Sequence, residues 1–244
     1  MARLSVVVPV LNEERRLPGL LAALRAEPGL VREVLVVDGG SVDGSRRIIE
    51  LAGCQLVRRA GGRGAQLAAG LALADSPWVL LLHADACLPR RWAEAVSQAM
   101  VEPEAAWYFE LAVADPDPLL RLVELVVRLR SRWRQLPYGD QGLLIPRSLL
   151  RRCGGIRPLP LMEDLDLIRR VRRHTRLRSL GLPLRVDGRR WRRLGVWRTA
   201  LENARLRRAW DQGVAADVLA EAYYGAARAQ SRGSGGVPEG AAPL

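Results

Sequence analysis

The apolar run at residues 78–82 constrains the fold of this chain more than any other stretch. It reads Trp-Val-Leu-Leu-Leu, without polar alternation, and it ends abruptly in His83-Ala84-Asp85. A short apolar run of this kind indicates a strand that is buried on both faces, as in a parallel sheet covered by helices. Ligands of such sheets bind beyond the carboxyl ends of the strands, which is where His83 and Asp85 lie.

His83 and Asp85 are two residues apart, so their side chains are expected on the same side of the extended chain. An imidazole and a carboxylate at this spacing can hold a divalent cation, or a diphosphate through one. The alternative is that Asp85 only caps the segment that follows. Both interpretations are open on this stretch alone.

Further apolar runs alternate with amphipathic segments along the chain. Strands are predicted at 4–8, 33–37, 55–58, 78–82, 106–113, 141–145 and 182–186, and helices at 12–26, 46–51, 65–74, 90–100, 119–134, 162–173, 197–210 and 214–229. Asn12 is the predicted N-cap of the first helix. Strands and helices that alternate through short turns predict an α/β fold with a mostly parallel sheet flanked by helices.

The stretch Asp115-Pro-Asp-Pro118 breaks this pattern and divides the chain into predicted parts. Residues 1–115 form an α/β half, residues 116–230 form an Arg-rich half with C-terminal helices, and the composition of residues 231–244 predicts a disordered tail. Residues 1–120 carry 12 Arg and 15 acidic residues, a net charge of −3, whereas residues 121–244 carry 26 Arg and 11 acidic residues, a net charge of +15. The basic half indicates an anionic partner.

The sequence also bears on the compartment. Its three cysteines are widely spaced, which argues against a disulfide framework or a cysteine zinc site. The N-terminus lacks a signal-peptide pattern, and no apolar run reaches the ~18 residues that span a bilayer. We therefore expect a cytoplasmic protein. The Arg/Leu character of residues 119–134 is typical of a helix that contacts the inner face of an anionic membrane, but a core-packed helix with solvated arginines is the favoured explanation.

Several acidic residues lie at the ends of predicted elements, and each has two explanations. Asp38 directly ends a strand, where ligands collect, whereas Asp43 fits a turn. Glu163 and Asp164 are adjacent at the start of a helix. Two carboxylates are more than one cap requires, so one of them can act as a base.

Two basic stretches can bind phosphate. The glycine-rich loop 61–64 contains Arg63 and leads into a helix, whose N-terminal amides can cradle an anion. The run Arg189-Arg190-Trp191-Arg192-Arg193 can clamp a diphosphate, with Trp191 as a wall. This run also suits a nucleic-acid backbone, but it lacks the aromatic interleaving of single-strand binders, and no helix-turn-helix or RNA-binding sheet motif occurs. We therefore expect a small diphosphate ligand and no nucleic acid.

The order of these features resembles glycosyltransferases of family 2, which have the GT-A fold. The resemblance covers about residues 4–200. It rests on Val6-Val-Val-Pro9-Val-Leu-Asn12-Glu13-Glu14, Val37-Asp38-Gly39-Gly40-Ser41-Val-Asp43-Gly44-Ser45, the glycine-rich loop with its Ala-rich helix, His83-Ala84-Asp85 and Glu163-Asp164. In more detail, Tyr138-Gly139-Asp140-Gln141 and Arg190-Trp191 are similar to a small soluble subgroup that is associated with arsenosugar biosynthesis.

The resemblance implies a role for each motif. Asp38 would contact the base or ribose of a nucleotide sugar, in a pocket that Pro9, Asn12 and Glu13 shape. Asp85 would bind Mg²⁺ or Mn²⁺ on the diphosphate. The catalytic and remaining substrate-binding residues would be Asp164 as general base, Glu163 beside it, Arg63, His83, Asp140, Gln141, Arg189, Arg190 and Trp191. The implied reaction transfers a sugar, with inversion, from a nucleotide-sugar donor, expected to be UDP-linked, to an unknown small or lipid-linked acceptor hydroxyl.

The chain departs from the family pattern at three positions. His83 stands for the first Asp of Asp-x-Asp, Gly39 for the usual second Asp after Val37-Asp38, and Asp187 for the Gln of Gln-x-x-Arg-Trp. The last change argues against processive synthesis. Two other functions remain open. One is a sugar-phosphate nucleotidyltransferase, whose glycine-rich loop would follow the first strand. The other is a non-catalytic protein that binds anionic membrane or RNA.

Overall fold

A computed structural model of the chain describes residues 3–233, without the side chains of Arg190 and of residues 225–233. Within this range, seven strands form one sheet in the order β3-β2-β1-β4-β6-β5-β7. They are β1 (Leu4–Val10), β2 (Val31–Asp38), β3 (Gln55–Arg58), β4 (Trp78–Leu81), β5 (Ala106–Ala114), β6 (Leu143–Pro146) and β7 (Leu177–Asp187). β6 runs antiparallel to β4 and β5, and the other neighbours are parallel. The predicted α/β fold with a mostly parallel sheet is confirmed.

The helices of the described range pack on both faces of this sheet. They are α1 (Leu17–Arg25), α2 (Ser45–Leu51), α3 (Gly62–Leu73), α4 (Trp92–Ala99), α5 (Pro118–Arg134), α6 (Arg147–Arg152), α7 (Glu163–Val171), α8 (Arg189–Leu194), α9 (Val196–Asp211) and α10 (Ala216–Gly233), and a 3-10 helix spans Gly139–Gln141. Val6 and Val8 face a core with α1 and α4, while Val7 faces a core with α3 and α7. Because successive strand residues point to opposite faces, both sets of β1 side chains are buried, and its one polar residue, Ser5, is hydrogen-bonded to Glu33.

Helix α3 lies unusually close to the centre of the sheet. A Cβ on Gly70 would lie 2.5 Å from Cγ1 of Val7 and 2.9 Å from Cγ2 of Val37, so only glycine permits this approach. The same closeness brings the buried Gln66 to the ends of two strands. Its Nε2 donates to the carbonyl oxygens of Val10 at 2.9 Å and Val37 at 2.7 Å. The carboxyl ends of β1 and β2 are thereby fixed side by side.

The chain between β1 and α1 differs from the prediction. Asn12 was expected to cap the first helix, but α1 begins at Leu17, with Pro18 in its first turn. Asn12 has a φ of 56°, and its Oδ1 accepts from the amide of Val42 at 2.9 Å while its own amide donates to Ser41 Oγ at 3.0 Å. The prediction was wrong because asparagine tolerates the left-handed region and can bind loop backbone as readily as a helix end.

The second half of the chain continues the sheet of the first. β5 pairs with β7 and β4 pairs with β6, so strands from both sides of residue 115 lie in one sheet. Residues 231–233, predicted as the start of the tail, end α10, and the remaining tail lies outside the described residues. In the part of the chain that the structure describes, no helix combines the length and the apolar character that crossing a bilayer requires.

Candidate active site

The loops after β1 and β2 bind each other and close one side of the candidate site. The buried carboxylate of Asp38 accepts from the amides of Gly40 at 3.2 Å and Ser41 at 3.0 Å, and from Nε of Arg46 at 2.7 Å. Burial acts to raise the pKa of Asp38, but the bonds from Ser41 and Arg46 outweigh it and hold that pKa below its usual value. An ionised Asp38 thus holds its loop in shape.

The loop after β1 is also tied to the end of β7. The amide of Glu13 donates to Ser45 Oγ at 2.9 Å, and its buried carboxylate binds the guanidinium of Arg189, with Nη1 3.3 Å from Oε2. Burial raises the pKa of Glu13, against the opposing effect of Arg189. Arg189 is the first residue of α8, directly after β7. The ion pair therefore joins two predicted site residues that are far apart in the sequence.

A cavity of about 160 Å³ lies beyond the ends of β4 and β7, between the 3-10 helix, α7 and α9. It brings together six of the predicted site residues, which are Arg63, His83, Asp85, Asp140, Asp164 and Trp191. Four of its lining residues are aspartates, since Asp187 joins the three predicted ones. Residues from five separate stretches of sequence thus share one cavity.

Asp164 is held in the cavity wall by backbone amides. Its Oδ2 accepts from the amide of Gly139 at 2.8 Å and its Oδ1 from the amide of Leu165 at 2.6 Å. A Cβ on Gly139 would lie 2.8 Å from Nε2 of His83 and 3.2 Å from Oδ2 of Asp164, so a glycine is needed where these side chains meet. The carboxylate is thereby oriented towards the cavity, where it can accept a proton.

The adjacent Glu163 does not line the cavity. It is buried, and its Oε1 lies 2.9 Å from Nε of Arg63. Burial raises the pKa of Glu163, and Arg63 opposes that effect. For Arg63, burial acts to lower the pKa, but the negative charges of Glu163 and Asp164 outweigh it and raise the pKa. Two neighbouring carboxylates therefore differ: Glu163 neutralises a buried guanidinium, and Asp164 faces the cavity.

Arg63 also contacts His83, with Nη1 3.3 Å from Nε2. Burial lowers the pKa of His83 well below its usual value, and Arg63 lowers it further. The imidazole is therefore neutral, and with its proton on Nδ1 its Nε2 accepts from Arg63. This contact joins His83 to the pair of Arg63 and Glu163, and its predicted part in substrate binding stays a prediction.

The glycines around Arg63 have a packing function. A Cβ on Gly64 would lie 2.3 Å from the carbonyl oxygen of Leu159, and one on Gly62 would lie 3.3 Å from Cα of Pro160. The loop can therefore lie directly against the segment that precedes α7. This contact, rather than a phosphate cradle, explains the glycines and brings Arg63 to Glu163.

Asp85 is the cavity residue that best fits a divalent cation. Its Oδ2 accepts from the amide of Asp187 at 3.4 Å, and the carboxylate of Asp187 lies beside it, paired with Arg16 and with Arg192 Nη2 at 3.1 Å. Burial raises the pKa of Asp85, a cost that a bound cation would relieve. The described residues contain no group of three His, Cys, Asp or Glu side chains that could hold a metal. Such a sparse oxygen site suits Mg²⁺ or Mn²⁺ that is shared with substrate phosphates.

Among the acidic residues that line the cavity, Asp140 has the fewest interactions that offset the burial of its charge. Its Oδ1 is buried without a hydrogen-bond partner, and burial raises the pKa of Asp140 to about 6, although Arg130 acts to lower it. The next residue, Gln141, is fully buried, and its amide group bonds to Ser131 Oγ at 2.9 Å and to the carbonyl of Phe109 at 3.1 Å. Gln141 is not among the residues that line the cavity, and these bonds hold the 3-10 helix; its role in substrate binding stays a prediction.

Several predicted residues lie beside the cavity rather than in it. Pro9 pairs with Val37 inside the sheet. The side chain of Arg190 lies outside the described residues. The remaining residues of this group are bound within the protein, as described above: Asn12, Glu13, Asp38, Gln141, Glu163 and Arg189. The nucleoside pocket therefore stays a prediction.

Sequence reasoning also missed residues that line the cavity. Tyr138 forms part of the wall, with the guanidinium carbon of Arg130 3.6 Å from its ring centroid. Helix α9 contributes Thr199, Asn203 and Arg207. No motif marks these positions, and only the period of the helix indicates that they share a face.

Comparison with known proteins agrees with this arrangement. The sequence model described as Glycosyl transferase family 2 matches residues 5–157. No match was found among curated proteins. Solved structures of glucosyl-3-phosphoglycerate synthase from Mycobacterium tuberculosis are similar. The complex with Mn²⁺, UDP and phosphoglyceric acid has a TM-score of 0.55 at 22% identity, over 74% of this chain and 69% of that chain.

The same synthase with Mn²⁺, UDP-glucose and phosphoglyceric acid has a TM-score of 0.54 at 21% identity, over 74% and 70% of the two chains. With Mg²⁺ and UDP, the TM-score is 0.55 at 21% identity, over the same shares. At these identities the likeness shows the GT-A fold, and the resemblance to the arsenosugar-associated subgroup stays a prediction. The family match covers more than half of the sequence, and the chain therefore belongs to glycosyl transferase family 2 and is a glycosyltransferase.

Proposed function

We propose that the protein is an inverting transferase that moves a sugar from a nucleotide-sugar donor, UDP-linked, to the hydroxyl of a small or lipid-linked acceptor. The observation that carries the proposal is the position of Asp164. It lines the same cavity as Asp85, and two amides orient its carboxylate. Two separate motifs thus supply the groups that one reaction needs: Asp164 is the base, and Asp85 holds the diphosphate through a cation.

Asp164 acts as the general base. It takes the proton of the acceptor hydroxyl while the acceptor oxygen attacks the anomeric carbon from the side opposite to the diphosphate. A new carbon–oxygen bond forms, the bond to the diphosphate oxygen breaks, and the diphosphate leaves with the electron pair. General-base catalysis of this kind contributes about 10²–10⁴-fold to a rate. Glu163 is a positioning residue, because it acts through Arg63.

The leaving nucleoside diphosphate gains negative charge, which the start of α8 is suited to stabilise. Arg189 supplies a guanidinium group there, and Trp191 lines the cavity beside it. A divalent cation, when bound, would stabilise the same charge, and Asp85 with Asp187 would hold it. Asp38, Pro9, Asn12 and Glu13 form the nucleoside side, where the hydrogen-bonded loops supply a rigid pocket.

The test is UDP release from a panel of UDP-sugars with Mn²⁺, in wild type, Asp85→Ala and Glu94→Gln. Glu94→Gln is the control, because it also removes one negative charge. Glu94 is half-exposed and pairs only with Arg91 on α4, so its variant keeps activity. Asp85→Ala loses most of it. An undiminished rate in Asp85→Ala would sink the assigned diphosphate site.

A thermal-shift series with UDP-, GDP- and dTDP-sugars identifies the nucleotide, since a ligand that binds only the folded state raises its stability. We expect UDP-sugars to give the largest shift. Pyrophosphate release from a nucleoside triphosphate and a sugar phosphate would instead favour a nucleotidyltransferase. That alternative is disfavoured because Pro9-Val-Leu-Asn12, and not the glycine-rich loop, follows the first strand.

A further inference from the structure

Helix α5 carries apolar side chains on the face that is turned away from the protein. Its inner face is fixed by Leu120 and Val127, which are buried with residues of β5 and β7. Each helical residue advances by about 100°, so the outer face is read from the positions roughly opposite these two. It displays Leu119, Leu122, Leu125, Val126 and Trp133, whose exposed fractions run from 41% to 78%.

We call this outer row of Leu119, Leu122, Leu125, Val126 and Trp133 the α5 stripe. It differs from the other exposed apolar residues in the spacing of its members. Leu119, Leu122, Val126 and Trp133 follow each other by three, four and seven residues, which is the spacing of one continuous helix face. Trp197 and Leu201 on α9 are exposed as a pair, whereas Leu51 and Val101 are as exposed but have no such neighbour in their own helix or turn. Single exposed apolar residues are normal, whereas a continuous apolar row marks a surface that binds something.

The surroundings of the α5 stripe are positively charged. The helix contains five Arg and one acidic residue. Arg128 and Arg132 share the single carboxylate of Glu110, and Arg121 pairs with Glu124. Arg130 lies on the inner face, so four positive charges and two carboxylates leave a net charge of +2 beside the stripe, which favours an anionic partner.

A second cavity, of about 280 Å³, is lined by four arginines, of which Arg134 ends α5, and by one leucine. The lining residues of this arginine hollow are Arg134, Leu136, Arg169, Arg172 and Arg173. Arg169 pairs with Asp211, and Arg172 Nη1 donates to the carbonyl of Arg134 at 3.2 Å. Among the described residues, four guanidinium groups thus share one carboxylate, which is the environment that a phosphate group requires.

We propose that α5 docks on the surface of an anionic phospholipid bilayer. The α5 stripe enters the boundary between headgroups and acyl chains, and the arginine hollow binds a headgroup phosphate. Trp133, the last residue of the stripe, has the amphipathic ring that prefers this boundary. A second copy of the chain fits the stripe less well, because it would bring two surfaces of the same positive charge together.

The inner face of α5 connects this surface to the cavity. Arg130 lies over the ring of Tyr138, and Ser131 Oγ donates to Gln141, so α5 holds the 3-10 helix that carries Asp140. The amide of Gly139 in that helix orients Asp164. Docking therefore favours an acceptor that is anchored in the bilayer. This last step rests on the proposed function, whereas the docking itself does not.

The experiment is flotation of the full chain, without donor or acceptor, with vesicles of phosphatidylcholine alone or mixed with phosphatidylglycerol. Wild type is expected to float with the mixed vesicles, more at low salt than at high salt. The triple variant Leu122→Gln, Val126→Gln and Trp133→Gln is expected to lose about tenfold or more of its partitioning. The control Leu51→Gln with Val101→Gln changes equally exposed apolar residues and is expected to float like wild type.

The arginine hollow has its own variant pair. Arg172→Gln with Arg173→Gln is expected to lose about fivefold of binding for each arginine on mixed vesicles only, whereas Arg47→Gln with Arg90→Gln, the same charge change elsewhere, keeps more of it. An unaltered melting temperature shows that each variant is folded. Wild type that stays with the unbound fraction at low salt, or a triple variant that floats normally, would overturn the proposal. So would a dimer in light scattering that only the triple variant dissociates.

Discussion

The two acidic clusters at the carboxyl edge of the sheet differ in how their charges are balanced. After β2, Asp38 and Asp43 accept hydrogen bonds from neighbouring backbone amides, and these bonds outweigh burial and lower the pKa of both. In the cavity, Asp85 and Asp140 are buried with weaker compensation, and burial raises the pKa of both. Aspartate carboxylates are thus fully hydrogen-bonded after β2, whereas in the cavity they are buried with too few partners to offset the cost of burial.

This difference distinguishes carboxylates that hold the structure in place from carboxylates that can react or bind a ligand. A carboxylate whose lone pairs are all used by amides and guanidinium groups holds its loop in place, and it has little left for a ligand. A carboxylate that is buried without partners costs stability, and a cation, a proton or a substrate can remove that cost. Changes in the cavity should therefore affect catalysis more than stability, and changes in the loops the reverse.

The largest effect is expected for Asp164→Asn. Removal of the base lowers kcat by about 10²–10⁴-fold while the melting temperature changes little, because the amide oxygen can still accept from Gly139. The matched control is Asp166→Asn in the same helix. Asp166 pairs with Arg157 and Arg170 and does not line the cavity, so its variant loses stability and keeps kcat. Equal kcat losses in the two variants would remove the distinction between scaffold and reactive carboxylates.

A second large effect is expected for Glu163→Ala, which leaves the buried guanidinium of Arg63 without its carboxylate. Breaking a buried ion pair in this way costs about 3–5 kcal/mol of unfolding free energy. Urea unfolding measures this loss. The double variant Glu163→Ala with Arg63→Leu should recover part of it, because no uncompensated charge remains. If the double variant is as unstable as the sum of the single ones, Glu163 acts by some route other than Arg63.

The sequence predicts the strands of this fold better than the contacts of its loops. β4 is a continuous apolar run and β1 is interrupted only by Ser5, and their short length between turn residues indicates strands. The predicted start of the first helix at Asn12 was wrong. Whether Asn12 caps a helix or adopts a left-handed loop conformation depends on its hydrogen bonds to the loop after β2. Local pattern cannot contain that partner, which lies about 30 residues away.

The site shows the same division. The rule that ligands collect at the carboxyl ends of parallel strands points to Asp85, and the structure brings Asp164, from the start of α7, into the same cavity. The sequence could not divide the roles of Glu163 and Asp164, because only the close packing of Gly64 on Leu159 brings Arg63 to one of them. The contribution of α9 was missed for a related reason. Thr199 and Asn203 belong to no motif, and tertiary packing alone turns them to the cavity.

A third prediction uses the titration of Asp140. Burial raises its pKa in the folded state to about 6, above the usual aspartate value of 3.8, so the folded protein binds more protons than the unfolded chain between these values. The stability that Asp140 contributes is present below pH about 4 and is lost as the pH rises to about 6, at a rate of at most about 1.4 kcal/mol per pH unit. Asp140→Asn removes this slope, and the difference between the two unfolding curves from pH 4 to 7 measures it. A difference that does not change with pH contradicts an uncompensated Asp140.

The smallest effect is expected for Arg46→Gln, which removes one partner of Asp38. The guanidinium is partly exposed, so its loss costs only about 1 kcal/mol. The pH dependence is opposite to that of Asp140. Because its folded-state pKa is lowered, Asp38 contributes stability above its usual pKa of 3.8, and that stability is lost as the pH falls through the lowered value. Arg46→Gln should therefore shrink the advantage of neutral over acid pH, by urea unfolding at pH 2 to 5, while KM for the donor changes little. A large rise of KM with unchanged stability would instead indicate that Asp38 contacts the donor directly and does not only hold its loop in shape.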